Sequence, residues 1–321
     1  MVANLDELPD PLWELYFQRY PVLRRATTKE FFIGRGCPYA CTFCVNGTLR
    51  RLYGGGAVRL RSPARIVSEL LRIKQSAGLA AVYFNDDTFT ADRAWLQEFL
   101  GRYRLEVGLP FTCAGRASLL TGEVVEALAR AGCRWVEMGV ECGDERRRRE
   151  LLGKDESDEA LAAAARRIKA AGMFLKTSNM IGLPGETPAD ALTTLRFNQE
   201  LGADAATCSL FQPFPGLPLT ERALALGLYV PSPERPFGAF SFQTSLLELP
   251  EAQRFLNLRR LFSFGLGFPR LLPLLPLLLK LPVARFYEGV AILFFLWTYR
   301  RYHQADLALV LAKAWQARGL R

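Results

Sequence analysis

Histidine is almost absent from this chain, since its 321 residues include only one, His303. Catalytic triads of the common kind need a histidine base, and the usual zinc centres of enzymes use two or three histidine ligands. The sequence therefore predicts neither a histidine-based triad nor a multi-histidine metal site.

Long uninterrupted apolar runs are also lacking. The two most apolar stretches, residues 271–279 and 289–299, are shorter than the roughly 20 residues that a membrane-spanning helix needs. Pro273, Pro276 and Pro282 further interrupt helical continuity there. We expect no transmembrane helix.

Two interpretations of this apolar tail stay open. Its segments either pack on the rest of the fold or form an interfacial surface that dips into lipid. In the second case Arg300 and Arg301 would meet anionic headgroups. That interpretation also suggests a lipid-like substrate.

The N-terminus lacks the order of charged and then apolar residues that export requires, because Asp6, Glu7 and Asp10 make it acidic. We expect a cytoplasmic protein that can also make peripheral contact with the inner face of the membrane. In that reducing compartment, a tight group among the seven cysteines indicates a metal site or catalysis rather than disulfides.

The overall charge is basic, with a formal net charge of +9 and a pI near 9.3. Such a balance suits anionic partners, including nucleic acid and phospholipid surfaces. The basic residues are scattered, however, apart from Arg146 to Arg149, and no RNA-binding motif accompanies them. We interpret that run as a solvated helix face and expect no nucleic-acid partner.

Between residue 29 and about residue 226, segments typical of strands and helices alternate. The predicted strands are residues 31–33, 80–84, 110–114, 133–139, 174–181 and 205–211. Six such units in series favour parallel strands with right-handed crossovers. The predicted fold class is α/β, a partial (β/α)6 TIM-like barrel, followed by a mainly helical apolar C-terminal extension.

In such barrels the chemistry lies at the carboxyl ends of the strands. The polar residues that follow the predicted strands are Asp86, Asp87, Arg116, Glu141 and Glu186. We expect them to share one rim, and we expect Arg116 to contact a carboxylate.

Cys37, Cys41 and Cys44 form a C-x3-C-x2-C motif directly after the first predicted strand. Thiolates suit iron–sulfur clusters, and three ligands on a four-iron cluster leave one iron open for chemistry. The alternative is a structural zinc site, which would need a fourth ligand. The remaining cysteines and the single histidine lack paired metal-ligand spacing, so we favour a [4Fe–4S] cluster and expect the other cysteines to be core residues.

Residues 36–44, including the aromatic Phe43, resemble the cluster loop of the radical S-adenosylmethionine (SAM) superfamily. Over residues 5–229 the chain is similar to the radical SAM half of cobalamin-dependent radical SAM proteins. The resemblance implies a linker-like segment at 1–28, a radical SAM core barrel at 29–226 and a C-terminal extension at 227–321.

Four further segments carry the resemblance in family order. Residues 84–89, with Asp86 and Asp87, resemble the segment near the SAM amino group. Residues 139–143, with Glu141, resemble the segment that contacts the ribose. Residues 181–187, with Gly182 and Gly185, resemble the segment beside the adenine, and residues 213–216 resemble the turn after the sixth strand.

What the resemblance implies is reductive cleavage of SAM to a 5′-deoxyadenosyl radical, which abstracts hydrogen from a small-molecule or lipid-like substrate. The electron would come from a low-potential donor such as flavodoxin or ferredoxin. No particular side chain is predicted as the catalytic residue.

The chain departs from the family in one respect, because a cobalamin-binding domain usually precedes the barrel. The sequence has no room for the Asp-x-His-x-x-Gly cobalamin motif, since His303 is the only histidine. Cobalamin is therefore expected only in trans. A methyltransferase using cobalamin from a separate or missing domain is the first alternative. A non-catalytic metal-binding module that docks on a membrane or partner is the second, although the glycines at 181–187 argue against it.

Overall fold

The computed structural model describes residues 2–54, 58–232 and 245–303. Its strands, in chain order, are β1 (Thr28–Phe31), β2 (Gly34–Arg35), β3 (Arg59–Leu60), β4 (Ala81–Phe84), β5 (Phe111–Gly115), β6 (Cys133–Glu141), β7 (Phe174–Ile181) and β8 (Ala205–Leu210). Its helices are α1 (Trp13–Arg19), α2 (Pro21–Arg25), α3 (Val45–Leu52), α4 (Pro63–Ala77), α5 (Arg93–Arg102), α6 (Gly122–Arg130), α7 (Glu145–Glu150), α8 (Asp158–Ala170), α9 (Pro188–Glu200), α10 (Pro218–Ala225), α11 (Ala252–Gly267), α12 (Leu275–Leu278) and α13 (Ala284–His303).

Six strands form one sheet in the order β1-β4-β5-β6-β7-β8, and every neighbouring pair is parallel. This confirms the predicted α/β partial barrel. The strands β2 and β3 form a separate antiparallel ribbon beside it. Because all six strands run the same way, the segments that follow them lie at one rim of the sheet.

Sequence periodicity predicts some strands better than others. The structure places β7 at Phe174–Ile181, as predicted, but β1 lies at Thr28–Phe31 instead of residues 31–33. The reason is that the Asp86 carboxylate accepts the backbone N–H groups of Ile33 and Gly34. The chain therefore leaves the sheet after Phe31, where an aspartate side chain replaces a neighbouring strand.

The main core lies between the convex face of the sheet and the helices. Along β7, alternate side chains such as Leu175 and Ile181 are buried, whereas Lys176 and Ser178 are only half-buried. Buried rings from neighbouring elements cross edge to face, with centroids 5.5 Å apart for Phe84 and Phe99. The concave face of the half-barrel is correspondingly more polar.

The N-terminal segment packs on this barrel. Phe17 of α1 is buried in the main core, and the Trp13 indole donates to Glu69 of α4 at 2.6 Å. The Asp6 carboxylate accepts the backbone N–H of Ser62, just before α4 begins. Prolines separate these short helices without preventing them, since Pro21 occupies the first position of α2.

The prediction that Arg146 to Arg149 form a solvated face is wrong for half of the run. Arg148 is completely buried, and its guanidinium donates to the carbonyl oxygens of Cys142 at 2.7 Å and Glu156 at 2.8 Å. Arg147 pairs with Asp190 at 2.9 Å. Only Arg146 and Arg149 are exposed, because the end of β6 leaves carbonyl groups that need buried donors.

The C-terminal extension is mainly helical, as predicted. The helix α11 packs against β8 and α9, and Leu275 and Leu279 are buried in the same cluster. No helix within the described residues has the length and apolarity to cross a membrane. The side chains of Arg300 and Arg301 lie outside the part of the chain that the structure describes.

Gly143, the second residue after β6, allows a close approach of the chain to α9. A Cβ atom there would lie 2.6 Å from Thr194 Cα and 2.7 Å from the Thr193 carbonyl oxygen. We expect Gly143→Ala to lower the free energy of unfolding by about 1–3 kcal/mol, because backbone must shift to admit the methyl group. Urea denaturation at unchanged m value would measure the loss.

The matched control is Gly101→Ala in α5, where the structure offers open space around the added methyl group. This variant should be neutral or more stable by about 0.5–1 kcal/mol, since alanine favours helix. Equal stabilities of the two variants would contradict the packing described for Gly143.

Candidate active site

The cysteine loop is held at the carboxyl rim by hydrogen bonds to Thr42. The Thr42 N–H donates to the Leu152 carbonyl at 3.0 Å, and its hydroxyl donates to the Leu151 carbonyl at 2.7 Å. The Leu219 N–H in turn donates to the Thr42 carbonyl at 3.1 Å. The loop is thereby tied both to the segment after α7 and to α10.

Each of the three thiols has a polar neighbour. Cys37 Sγ lies 3.4 Å from the Thr88 hydroxyl, Arg116 Nη1 donates to Cys41 Sγ at 3.7 Å, and Asn46 Nδ2 donates to Cys44 Sγ at 3.6 Å. Burial raises the pKa of the Cys41 thiol, while Arg116 acts against this increase. Burial likewise raises the pKa of Cys44, opposed by hydrogen bonds from Asn46.

This donor set fits an iron–sulfur cluster. The candidate ligands are three soft thiols, and hydrogen bonds to cluster sulfurs are a normal means of tuning such centres. Among the described residues, no three cysteine, histidine or acidic side chains lie close enough together to hold a single metal ion. Cys113, Cys133 and Cys142 are buried in the core, as predicted, and Cys208 is partly buried on β8.

The two aspartates after β4 have different surroundings. The buried Asp86 carboxylate binds backbone N–H groups at the β1–β2 junction, and burial raises its pKa to about 6. Asp87 is exposed, and its negative charge is one of the smaller contributions that raise the pKa of Cys44. Asp87 therefore lies beside the cysteine loop, whereas Asp86 shapes the backbone beneath it.

Glu141, at the end of β6, adopts a left-handed backbone conformation with φ of 66°. The register between β6 and β7 shifts at this point, between Gly139 and Glu141. Such a conformation costs a non-glycine residue about 1–3 kcal/mol and is frequent at functional sites. Its carboxylate lies 3.7 Å from Lys154 Nζ, and burial raises its pKa.

The turn after β7 depends on two glycines with positive φ, Gly182 at 72° and Gly185 at 73°. The buried Glu186 carboxylate closes this turn by accepting the Leu183 N–H at 3.0 Å. Burial raises the pKa of Glu186 to about 7. The glutamate thus organises the glycine turn from inside.

Hydrophobic packing brings the remaining segments together. Phe43 packs on a buried cluster that contains Cys142, Leu183 and Phe211, which follow β6, β7 and β8. The cysteine loop, the end of β6 and the glycine turn therefore share one small core. Arg116 completes the rim, with its guanidinium 3.7 Å above the Tyr39 ring centroid.

Two charged residues at this rim were not predicted. Lys154 and Glu156 are buried, and Lys154 Nζ lies 3.4 Å from a Glu156 carboxylate oxygen. Their segment, residues 153–157, has the composition of an ordinary solvent-exposed loop. Its only local signal is one lysine followed by two acidic residues, which is common on protein surfaces.

The six parallel strands form a half-barrel, and the three cysteines lie on a loop that is held at its carboxyl rim. Residues 31–197, more than half of the chain, match the family model described as the radical SAM superfamily. The chain belongs to the radical SAM superfamily.

Two curated relatives are methyltransferases by name. The chain is 29% identical over 233 residues to an uncharacterized methyltransferase of Pyrococcus horikoshii, covering 71% of this chain and 49% of that protein. It is 24% identical over 267 residues to cytidylyl-2-hydroxyethylphosphonate methyltransferase of Streptomyces wedmorensis, covering 78% of this chain and 49% of the relative. The chain thus spans about half the length of these relatives.

Among solved structures, the fold is similar to that of the radical SAM methyltransferase TsrM from Kitasatospora setae, with cobalamin and a [4Fe–4S] cluster bound. The TM-score is 0.54 at 22% identity, covering 66% of this chain and 42% of that one. This likeness supports the barrel fold.

The raised pKa of Glu186 predicts a specific pH dependence of stability. The folded state holds a proton up to about pH 7 that the unfolded state releases near the ordinary value of 4.5. The wild-type free energy of unfolding should therefore fall as pH rises through this window. Glu186→Gln carries no such proton and keeps an oxygen for the Leu183 N–H.

We expect the stability of Glu186→Gln relative to wild type to increase by about 2–3 kcal/mol between pH 4.5 and pH 7.5, at 1.36 kcal/mol per pKa unit. Urea denaturation across this range measures it. The exposed Glu98→Gln serves as the control and should track wild type. A pH-independent difference for Glu186→Gln would show that the buried carboxylate does not titrate as described.

Proposed function

We propose that this chain binds a [4Fe–4S] cluster through Cys37, Cys41 and Cys44 and binds SAM beside it, and that it cleaves SAM reductively. The observation that carries the proposal is the convergence of separate segments on one rim. The cysteine loop meets the end of β6 and the glycine turn after β7 in a shared core. We assign this chemistry to the barrel, residues 29–226.

In this proposal different residues contact different parts of SAM. Asp87 and Glu141 offer carboxylate oxygens to the amino group and the ribose, and Gly182 and Gly185 allow the adenine to approach backbone. Phe43 and Asp86 hold the shape of the site, through packing and through the β1–β2 backbone respectively. Arg116, predicted to contact a carboxylate, would do so from its position beside Cys41.

When bound, the cluster and SAM supply a 5′-deoxyadenosyl radical after one electron arrives from a low-potential donor such as flavodoxin or ferredoxin. The chain orients the reacting groups and excludes water, which is the usual contribution of protein in cofactor chemistry. The half-exposed polar residues of the concave face, such as Lys176 and Ser178, offer contacts to a small-molecule substrate.

A second candidate is radical methyl transfer that uses cobalamin from a separate or missing domain. It is supported by the two relatives that are named as methyltransferases. The match to each of them covers only about half of that relative's length. The third interpretation, a non-catalytic metal-binding module, loses support because the chain belongs to an enzyme superfamily.

Product analysis tests the proposal. After anaerobic cluster reconstitution, wild-type protein with SAM and dithionite should form 5′-deoxyadenosine. Cys41→Ala should lose at least a hundredfold of this activity together with the cluster absorbance, because a cluster ligand is missing. The control Cys208→Ala, in a cysteine of β8 outside the triad, should retain both.

Added cobalamin separates the two enzyme candidates, because S-adenosylhomocysteine formed alongside 5′-deoxyadenosine favours methyl transfer. Retained SAM cleavage in Cys41→Ala would contradict the cluster assignment. Absence of both products from wild-type protein that holds a four-iron cluster would contradict the proposed activity of this chain.

We further propose that the C-terminal extension makes peripheral contact with an anionic membrane and that the substrate is lipid-like. Large apolar side chains are exposed there, including Phe286 at 68% and Leu293 at 69%. Lys280 and Arg285 are exposed in the same segment. Apolar groups with basic neighbours suit the interface of an anionic bilayer.

Flotation with vesicles of phosphatidylglycerol and phosphatidylcholine at low salt tests this contact. Wild type should bind, and the double variant Phe286→Gln/Leu293→Gln should bind several-fold less, since both apolar anchors are removed. Leu105→Gln, at a side chain 85% exposed on the barrel, is the matched control and should bind normally. Absence of binding at low salt, or equal binding of all three proteins, would contradict the proposal.

A further inference from the structure

Four charged side chains form a buried, charge-balanced group at the rim. We call Arg116, Glu156, Lys154 and Glu141 the rim quartet. Their side chains are 10%, 0%, 7% and 14% exposed. Arg116 Nε lies 3.6 Å from Glu156, and Lys154 Nζ lies 3.4 Å from Glu156 and 3.7 Å from Glu141. Buried charges are tolerated only when they are paired, as they are here.

One end of the rim quartet reaches the cluster ligands. Arg116 Nη1 donates to Cys41 Sγ at 3.7 Å, and the same guanidinium lies 3.7 Å above the Tyr39 ring. Tyr39 belongs to the cysteine loop, so the loop holds the arginine from two sides. The positive charge is therefore directed at one particular thiol.

Glu156 holds Arg116 from the other side. Its Oε1 accepts the N–H of Ser118 at 3.0 Å. Because Ser118 is only two residues after Arg116 in the chain, this hydrogen bond fixes the carboxylate close to Arg116. Glu156 Oε2 and Arg116 Nε are buried and form no hydrogen bond within the described residues. Arg116 and Glu156 therefore interact mainly through their charges. The positive electrostatic potential that Arg116 creates at Cys41 is reduced by the Glu156 carboxylate behind it.

We propose that Arg116 is a positioning residue that sets the reduction potential of the cluster, and that Glu156 moderates its charge. This inference rests on the proposed function. Reduction of a [4Fe–4S] cluster from the 2+ to the 1+ state takes one electron from a low-potential donor and adds one negative charge. A cation that donates to a ligating sulfur stabilises the reduced state and raises the potential.

The test is a redox titration of reconstituted protein without SAM, with dithionite as reductant and the reduced cluster followed by EPR. Arg116→Gln should lower the ratio of reduced to oxidised cluster roughly tenfold at a fixed potential, which is about 59 mV for one electron. Glu156→Gln should raise this ratio, because it removes a negative charge from the same group. Arg116→Lys should restore much of the wild-type value.

Arg61→Gln is the matched control, because Arg61 is also ion-paired and its side chain is 14% exposed, but its partners are Asp10 and Glu69. Its potential should equal that of wild type. A merely structural role would loosen the cluster in both rim variants without opposite shifts. Unchanged potentials, or shifts in the same direction, would overturn the proposal.

Should Arg116→Gln fail to hold a cluster, the upward shift in Glu156→Gln and the value for Arg116→Lys decide the question. The outcome is separable from the proposed function. Wild type that forms 5′-deoxyadenosine while all variants share one potential overturns this inference alone. Opposite shifts in a protein that never cleaves SAM overturn only the proposed function.

Discussion

Hydrogen bonds at Thr42 are the constraint on which the site depends. The cysteine loop has little secondary structure of its own before α3 begins, so its position comes from the segments that bind it. Thr42 uses its N–H, its hydroxyl and its carbonyl to join Leu151, Leu152 and Leu219. These partners follow α7 or lie in α10, far along the chain. The position of the triad therefore depends on segments that are more than 100 residues away along the chain.

Energetically unfavourable features, namely backbone strain and buried charge, are concentrated at the rim. Glu141 adopts a strained backbone, and buried carboxylates occur at Asp86, Glu156 and Glu186. Each is compensated by particular partners, either backbone N–H groups or buried cations, and the convex core supplies the stability that tolerates them. Concentrated strain and buried charge on one side of an otherwise well-packed fold is the pattern expected where a protein binds a reactive cofactor.

Sequence reasoning predicted the repeated strand–helix units and the parallel sheet because both depend on local periodicity. It placed β7 correctly but shifted β1, since an aspartate 53 residues away binds the Ile33 N–H. It also treated Arg148 as solvated and did not identify Lys154 or Glu156. Arg148 is buried where it donates to the carbonyl oxygens of Cys142 and Glu156, and Lys154 and Glu156 are buried beside each other. These partners are brought together by the fold, and the local sequence does not indicate them.

We propose that the triad holds a cluster with one iron open to SAM. EPR of the reduced, reconstituted protein with and without SAM tests it most directly. We expect four iron atoms per chain and a spectrum that changes when SAM is added, because SAM would bind the open iron. Zinc without iron after anaerobic purification, or a four-iron spectrum that SAM leaves unchanged, would contradict it.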